Sequence, residues 1–216
     1  MKPALSIVVA LFVSSAASAY EEAPYEVVRE EEDFEIRRYA PYLVAETAVD
    51  GALWDSGGTA FRKLFRYITG ANRSAQRLPG AADDRRIVSQ EAAGGKKIAM
   101  TIPVFTKPAN AAAEGDTAEP GLVYQFVMPA AYDLDTLPVP EDPSIVLREE
   151  PARWVAVHRF SGLWSERRIR AAEDTLRAGL MRAGIAPRGP VELARYDDPF
   201  TLWFLRRNEV LLEIDP

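Results

Sequence analysis

The sequence predicts an α+β domain with a pseudo-twofold, in which two helices pack against a largely antiparallel sheet. Three observations predict it. The segment Ile36-Arg37-Arg38-Tyr39-Ala40-Pro41-Tyr42-Leu43-Val44-Ala45, closed by Gly51, is echoed by Val146-Leu147-Arg148-Glu149-Glu150-Pro151-Ala152-Arg153-Trp154-Val155-Ala156, closed by Gly162. In each copy an Arg stands three residues before a Pro, a Val-Ala pair follows, and a Gly comes six residues after the Ala. Each copy then leads into a helical stretch ending in Gly and on into strand-like runs, and no nucleotide-binding fingerprint interrupts the plan. Two such units can close one core between them and leave a cleft along the pseudo-axis, where small ligands bind.

The elements follow in order. Glu30 to Asp33 is a solvated acidic entry. Phe34-Glu35-Ile36 alternates and begins a strand, and Leu43 to Val49 forms another after Pro41. Ser56-Gly57-Gly58 is expected to break the chain. Phe61, Leu64, Phe65 and Ile68 then recur at helical spacing, which predicts one buried helix face, and Gly70 ends the helix where a left-handed backbone is needed. Asn72 to Asp84 reads as a polar loop, Arg86-Ile87-Val88 as a short strand and Gly94-Gly95 as a turn. Ile98, Met100 and Ile102 alternate with Ala99 and Thr101 in a half-buried strand that Pro103 stops or places at an edge. Ala109 to Pro120 is a surface loop between the halves, and Val123 to Met128 is a strand. In the second half, Trp154 to Phe160 is a strand and Ser165 caps a helix with Ile169, Ala172, Leu176, Leu180 and Ala183 on its apolar face, closed by Gly184. Val191 to Tyr196, Leu202 to Leu205 and Val210 to Ile214 complete about eight strands.

The first residues read as a targeting segment. Lys2 gives a positive start, Ala4 to Val13 an apolar stretch too short to span a bilayer comfortably, and Ala17-Ser18-Ala19 a small-x-small cleavage pattern. Residues 1–19 are therefore expected to be a signal peptide, with 20–216 the mature domain, exported to the periplasm or secreted. Loss of Lys2 takes the formal net charge of −6 to −7. The acidic balance argues against nucleic acid as a partner, which requires a basic footprint. Cysteine is absent, which excludes thiolate catalysis, zinc-thiolate sites and covalent c-type haem attachment through Cys-x-x-Cys-His. No second long apolar run follows, so no transmembrane span is expected in the mature chain.

Four motifs carry a family resemblance: Glu35-Ile36-Arg37-Arg38-Tyr39-Ala40-Pro41; Tyr67-Ile68-Thr69-Gly70-Ala71-Asn72; Lys97-Ile98-Ala99-Met100-Thr101-Ile102-Pro103-Val104; and Arg206-Arg207-Asn208-Glu209-Val210. In this order they resemble the SOUL haem-binding proteins. The resemblance implies two βαββ-like halves forming a distorted barrel or curved sheet flanked by two helices, a shape shared with gyrase-inhibitor-like ligand-binding domains. It also implies a tetrapyrrole ligand, haem or another porphyrin, in an apolar cleft beside the first helix. A relative credited with an iron ligand carries His where this chain has Arg38, and arginine stays protonated and cannot ligate iron. The basic residue that the family pairs with a haem propionate is retained as Arg66.

Each candidate site residue has a plainer alternative. His158 is the only histidine and hence the strongest nitrogen ligand available for a metal; otherwise it is a hydrogen-bonded strand residue sharing a face with Ala156 and Phe160. Arg62 and Arg66 stand four apart and can clamp two carboxylates, or form a solvated helix face. Phe61, Leu64, Phe65 and Ile68 are expected in the core, where some of them can also touch a porphyrin face. Met100 can approach iron or pack, and Tyr39 and Tyr67 can ligate ferric iron or donate hydrogen bonds. Arg206 to Glu209 resembles a catalytic box but reads as a structural turn with cross-strand charges. No catalytic motif is present, so a binding protein rather than an enzyme is expected. The rival functions are an amphiphile-binding or hydrolytic gyrase-inhibitor-like domain and a protein-interaction module.

Overall fold

The computed structural model describes residues 20–76, 87–88, 95–109, 121–198 and 200–216. Nine strands form the main sheet: β1 (Tyr25–Glu30), β2 (Glu35–Tyr39), β3 (Tyr42–Val49), β4 (Val104–Pro108), β5 (Leu122–Val127), β6 (Ile145–Glu150), β7 (Arg153–Phe160), β8 (Pro187–Arg195) and β9 (Asn208–Ile214). Their order is β6-β3-β5-β4-β8-β9-β7-β2-β1, and every neighbouring pair is antiparallel. Helices α1 (Leu53–Ile68) and α2 (Glu166–Ala183) complete an α+β fold.

The order is symmetric about the β4–β8 junction, and each half lends its first strand to the other. β2 pairs with β7, and β6 pairs with β3. Only Ala40-Pro41 separates β2 from β3, although they lie near opposite ends of the sheet, so the sheet must curl until those ends approach. The rings of Tyr39 and Tyr42, on either side of this link, have centroids 5.9 Å apart. The repeat seen in sequence is real in three dimensions. Gly51 and Gly162 both adopt positive φ, +103° and +111°, a backbone that side-chain-bearing residues rarely take. The register differs by one from the sequence reading: Ala45 and Ala156 are equivalent, which matches Arg148 to Arg37 rather than to Arg38.

Alternation along the strands sorts side chains into the interior of the curl and the helix-covered outside. Tyr39, Tyr42, Val44, Phe105, Val155, Val157 and Leu211 pack inside. Ala45, Phe126 and Ile145 meet Ala60, Leu64, Tyr67 and Ile68 of α1. Ile36, Ala156, Val210 and Leu212 meet Ile169, Ala172, Leu176 and Leu180 of α2, the apolar stripe expected for that helix.

Several expectations are corrected. Ser56-Gly57-Gly58 lies inside α1 rather than breaking the chain. These small residues let the helix approach β5: the Ser56 hydroxyl lies 2.9 Å from the Tyr124 hydroxyl, and a Cβ at Gly57 would stand 3.4 Å from that oxygen. The buried stripe of α1 runs through Ala60, Leu64, Tyr67 and Ile68, so Phe61 and Phe65 are not core but exposed. The segment around Met100 is irregular; pairing begins at Thr101–Ile102, in a parallel ladder with Glu21–Glu22. Leu202 to Leu205 is no strand, because Trp203–Leu205 forms a 3-10 turn. Ser165 is the residue before α2, but its hydroxyl makes no capping bond. The expected loop Ala109 to Pro120 and the Gly94-Gly95 turn fall mostly outside the described residues. Among the described residues no helix is long and apolar enough to cross a membrane.

Candidate functional site

Helix α1 buries one face and presents an aromatic and basic one. Phe61 and Phe65, four residues apart, are 36% and 45% exposed. Their rings stack with centroids 5.7 Å apart and planes 14° from parallel. Phe61 also meets Phe126 of β5 edge-on at 5.4 Å, which fixes the outer pair to the sheet. Aromatic side chains left this exposed at neighbouring positions form an apolar patch rather than scattered surface residues.

Beside this pair, Arg62 and Arg66 follow at the same spacing. A cavity of about 370 Å³ adjoins them, lined among others by Lys63, Tyr67 and Asp142. Lys63 donates to the Ser144 hydroxyl at 3.1 Å, and Arg62 donates to the Thr59 hydroxyl at 3.3 Å. Hydrogen bonds from the Ser144 hydroxyl and amide, with smaller help from the charges of Lys63 and Arg66, hold the Asp142 carboxyl below its ordinary range. Among the described residues, no hydrogen bond or ion pair takes up the Arg66 guanidinium. Its charge and donors face solvent and remain available to a carboxylate.

The end of α1 is tied down by polar bonds. The Asn72 amide donates to the carbonyls of Tyr67 and Lys96 at 2.7 and 2.8 Å, and its oxygen accepts from the Lys96 amide at 2.9 Å. Gly70, with φ +125°, lies so close to Gly95 that a Cβ there would stand 1.7 Å from the Gly70 carbonyl oxygen. The Tyr67-to-Asn72 motif thus sets where α1 stops and where the Lys97-to-Val104 motif begins.

Arg62, Phe65 and Arg66 share helix α1, where Arg62 and Arg66 line the cavity and Phe65 stacks on Phe61, and Met100 packs half-buried against the cluster beneath α1. The structure does not bring His158 to them. His158 points to the α2 side of the sheet, among Ala156 and Phe160, and its Nδ1–H donates to the Asp33 carbonyl at 2.5 Å. Tyr67 is buried and donates to the Pro138 carbonyl at 2.8 Å. Tyr39 is fully buried, and desolvation, outweighing the nearby Arg37, pushes its phenol up to about 12. Neither phenol is set to act as a phenolate ligand. Arg38, where a relative has His, lies at the surface and pairs with Glu26 at 2.8 Å. Sequence reasoning placed Phe61 and Phe65 in the core and missed Lys63 and Asp142. The signal for Phe61 was present, since Ala60, Leu64, Tyr67 and Ile68 form the better helical stripe.

Two of the resembling motifs meet inside the sheet. Arg37 donates to both oxygens of Glu209 at 2.7 and 2.8 Å, Tyr196 donates at 2.8 Å and Arg207 at 2.9 Å. The Arg207 guanidinium also lies 3.6 Å from the Tyr196 ring centre. Burial opposes the charge on Arg37, but Glu209 more than offsets it and holds the guanidinium pKa above its ordinary value. Burial likewise opposes ionisation of Glu209, yet Arg37, Arg207 and Tyr196 hold its carboxyl below the ordinary range. The box is structural: both oxygens of Glu209, its one carboxylate, already accept from Arg37, Tyr196 and Arg207.

Among known proteins, the family profile described as SOUL heme-binding protein matches residues 20–82 and 86–213. No curated protein matches the chain as a relative. The crystal structure of the EcmrR C-terminal domain superposes with a TM-score of 0.57 at 11% identity, covering 88% of this chain and 98% of that one. A hydrolase from Listeria innocua superposes with a TM-score of 0.54 at 11% identity, covering 87% and 94%. At such identity these likenesses show the shared fold alone.

Proposed function

The chain belongs to the SOUL haem-binding protein family, and from that premise we propose that it is an exported protein that reversibly binds haem or a related tetrapyrrole, for transport, buffering or sequestration. The observation that carries the reading is helix α1, on which the exposed Phe61–Phe65 stack stands at positions next to Arg62 and Arg66. A porphyrin is a flat apolar body with carboxylates at its edge, and this helix offers an aromatic surface beside two guanidinium groups. Phe61 and Phe65 would hold the ring, and Arg62 and Arg66 the propionates. Iron, when haem is bound, would add its own coordination chemistry, but the α1 face supplies no histidine to it. Aromatic faces and guanidinium groups hold ligands and provide neither nucleophile nor general base, so we place the protein among binders.

Burying a porphyrin face at about 25 cal/mol per Å² can drive association without an iron bond. Ordering and desolvation reduce the surplus, so affinity should be modest. The test is an absorbance titration with hemin and with iron-free protoporphyrin. Arg66→Ala should weaken both, because the propionates remain when iron is removed, and should do so more than His158→Ala. A histidine-ligated hemin spectrum that vanishes in His158→Ala, with most of the affinity, would overturn the assignment to α1. Failure of both porphyrins to bind the wild-type protein would reject the tetrapyrrole reading.

A further inference from the structure

The two halves of the sheet correspond strand by strand, and their correspondence marks one place where they differ. Ala45 pairs with Phe126 and Leu147, while Ala156 pairs with Leu212 and Ile36. Counting along the strands matches Val123 to Glu209 as it matched Arg148 to Arg37. The Ala109 amide donates to the Gly121 carbonyl at 2.7 Å, as the Tyr196 amide donates to the Arg207 carbonyl at 3.3 Å. Ala109 therefore matches Tyr196, and Gly121 matches Arg207. In the second half, Glu209, Tyr196 and Arg207 fill the space around Arg37. In the first half the same positions hold Val, Ala and Gly, and beside Arg148 a cavity of about 680 Å³ opens, with Val123, Lys107, Glu150, Arg153 and Glu192 in its wall.

The wall is built from charged side chains, of which Glu150 and Arg153 are buried and Glu46, Lys107, Arg148 and Glu192 half-buried. Arg148 pairs with Glu46 at 3.0 Å and Glu150 at 2.5 Å, and Arg153 donates to both oxygens of Glu192 at 2.7 and 2.8 Å. Three of the wall's carboxylates, Glu46, Glu150 and Glu192, are thus paired with Arg148, Lys107 and Arg153, and the fourth, Glu213, is exposed at the edge. One charged donor is not used: Arg153 Nε is buried and has no hydrogen-bond partner. A buried charged donor without an acceptor is costly, and a cationic ligand would leave it so.

We infer that this cavity is a second ligand site, distinct from the α1 face, and that it takes a small organic carboxylate with an aromatic or hydroxylated body. Such a ligand supplies from outside what Glu209 and Tyr196 supply as side chains in the other half, with Arg153 Nε as its open donor and Arg148 and Lys107, each already paired with a wall carboxylate, beside it. The inference rests on the strand correspondence and the unpaired Arg153 nitrogen, and does not depend on tetrapyrrole binding.

The test is an amide NMR titration of the full chain with 4-hydroxyphenylacetate, with benzylammonium as the cationic comparison. Saturable shifts should be confined to residues around Val123, Lys107 and Arg148. Arg148→Gln should weaken the binding by about tenfold or more, the loss of a charge-assisted bond. Val123→Glu restores the counterpart of Glu209, so it should abolish binding without lowering the melting temperature and leave any hemin binding unchanged. If Val123→Glu does not fold, Arg148→Gln alone decides. Tighter binding of benzylammonium, shifts elsewhere, undiminished binding in a folded variant, or no binding at millimolar probe would each overturn the inference.

Discussion

Replacing Glu209 by Gln keeps the shape of the side chain and removes its charge. The wild-type carboxylate is fully buried and accepts four hydrogen bonds, two from Arg37, one from Tyr196 and one from Arg207. A glutamine turns one acceptor oxygen into an NH₂ that must face a guanidinium donor. Arg37, only 2% exposed, is left with Glu35, which is itself partly solvated. Breaking one side of a buried pair costs about 3–5 kcal/mol, and at ~2–4 °C per kcal/mol for a domain of this size the melting temperature should fall by about 6–20 °C. The assay is thermal and urea denaturation followed by circular dichroism. The wild type should also show an acid sensitivity that the variant lacks. The folded Glu209 carboxyl is held below its ordinary value of 4.5, so its contribution is fully present above the unfolded carboxylate range and is lost as pH falls through that range toward the folded value. A Glu209→Gln protein within about 1 kcal/mol of wild type, with an unchanged acid limb, would refute the view that these motifs form a structural plug.

Phe65→Ser should lower hemin affinity while changing stability by no more than about 0.5 kcal/mol, because the ring is nearly half exposed and little packing is lost; an equal fall in melting temperature would instead make Phe65 structural. Gly95→Ala should destabilise by about 1–3 kcal/mol in urea denaturation, since its Cβ would collide with backbone that cannot yield; a neutral result would mean that the two glycines do not meet as described. Sequencing the exported protein should find its first residue at or near Tyr20, and a product retaining Met1 or Lys2 would contradict export.

Much of the architecture was legible in the chain. The duplicated segments, the helical stripe of α2 and the closing glycines reflect local physics: periodic burial on one face and positive φ where only glycine is comfortable. The swap of first strands between halves was not legible, because it depends on which edge a strand meets after the Ala40-Pro41 and Pro151-Ala152 links. The start of α1 was misread for a related reason. Glycine weakens a helix in isolation, but Gly57 lies within α1, where Tyr124 packs against it.

The candidate site divides in the same way. Arg62, Phe65 and Arg66 share a helix, so sequence spacing alone determined that they stand side by side. Whether Phe61 and Phe65 are core or surface was decided by the sheet, which accepted the Ala60-Leu64-Tyr67-Ile68 stripe and left the phenylalanines outside. The fate of Arg37 and Glu209, far apart in sequence, was decided by the strand order that sets β2, β7 and β9 side by side. The cavity beside Arg148 belongs wholly to tertiary structure. A valine at position 123 carries no mark of a site until the fold shows that its counterpart is Glu209, because an empty space is a relation between side chains and not a property of any one of them.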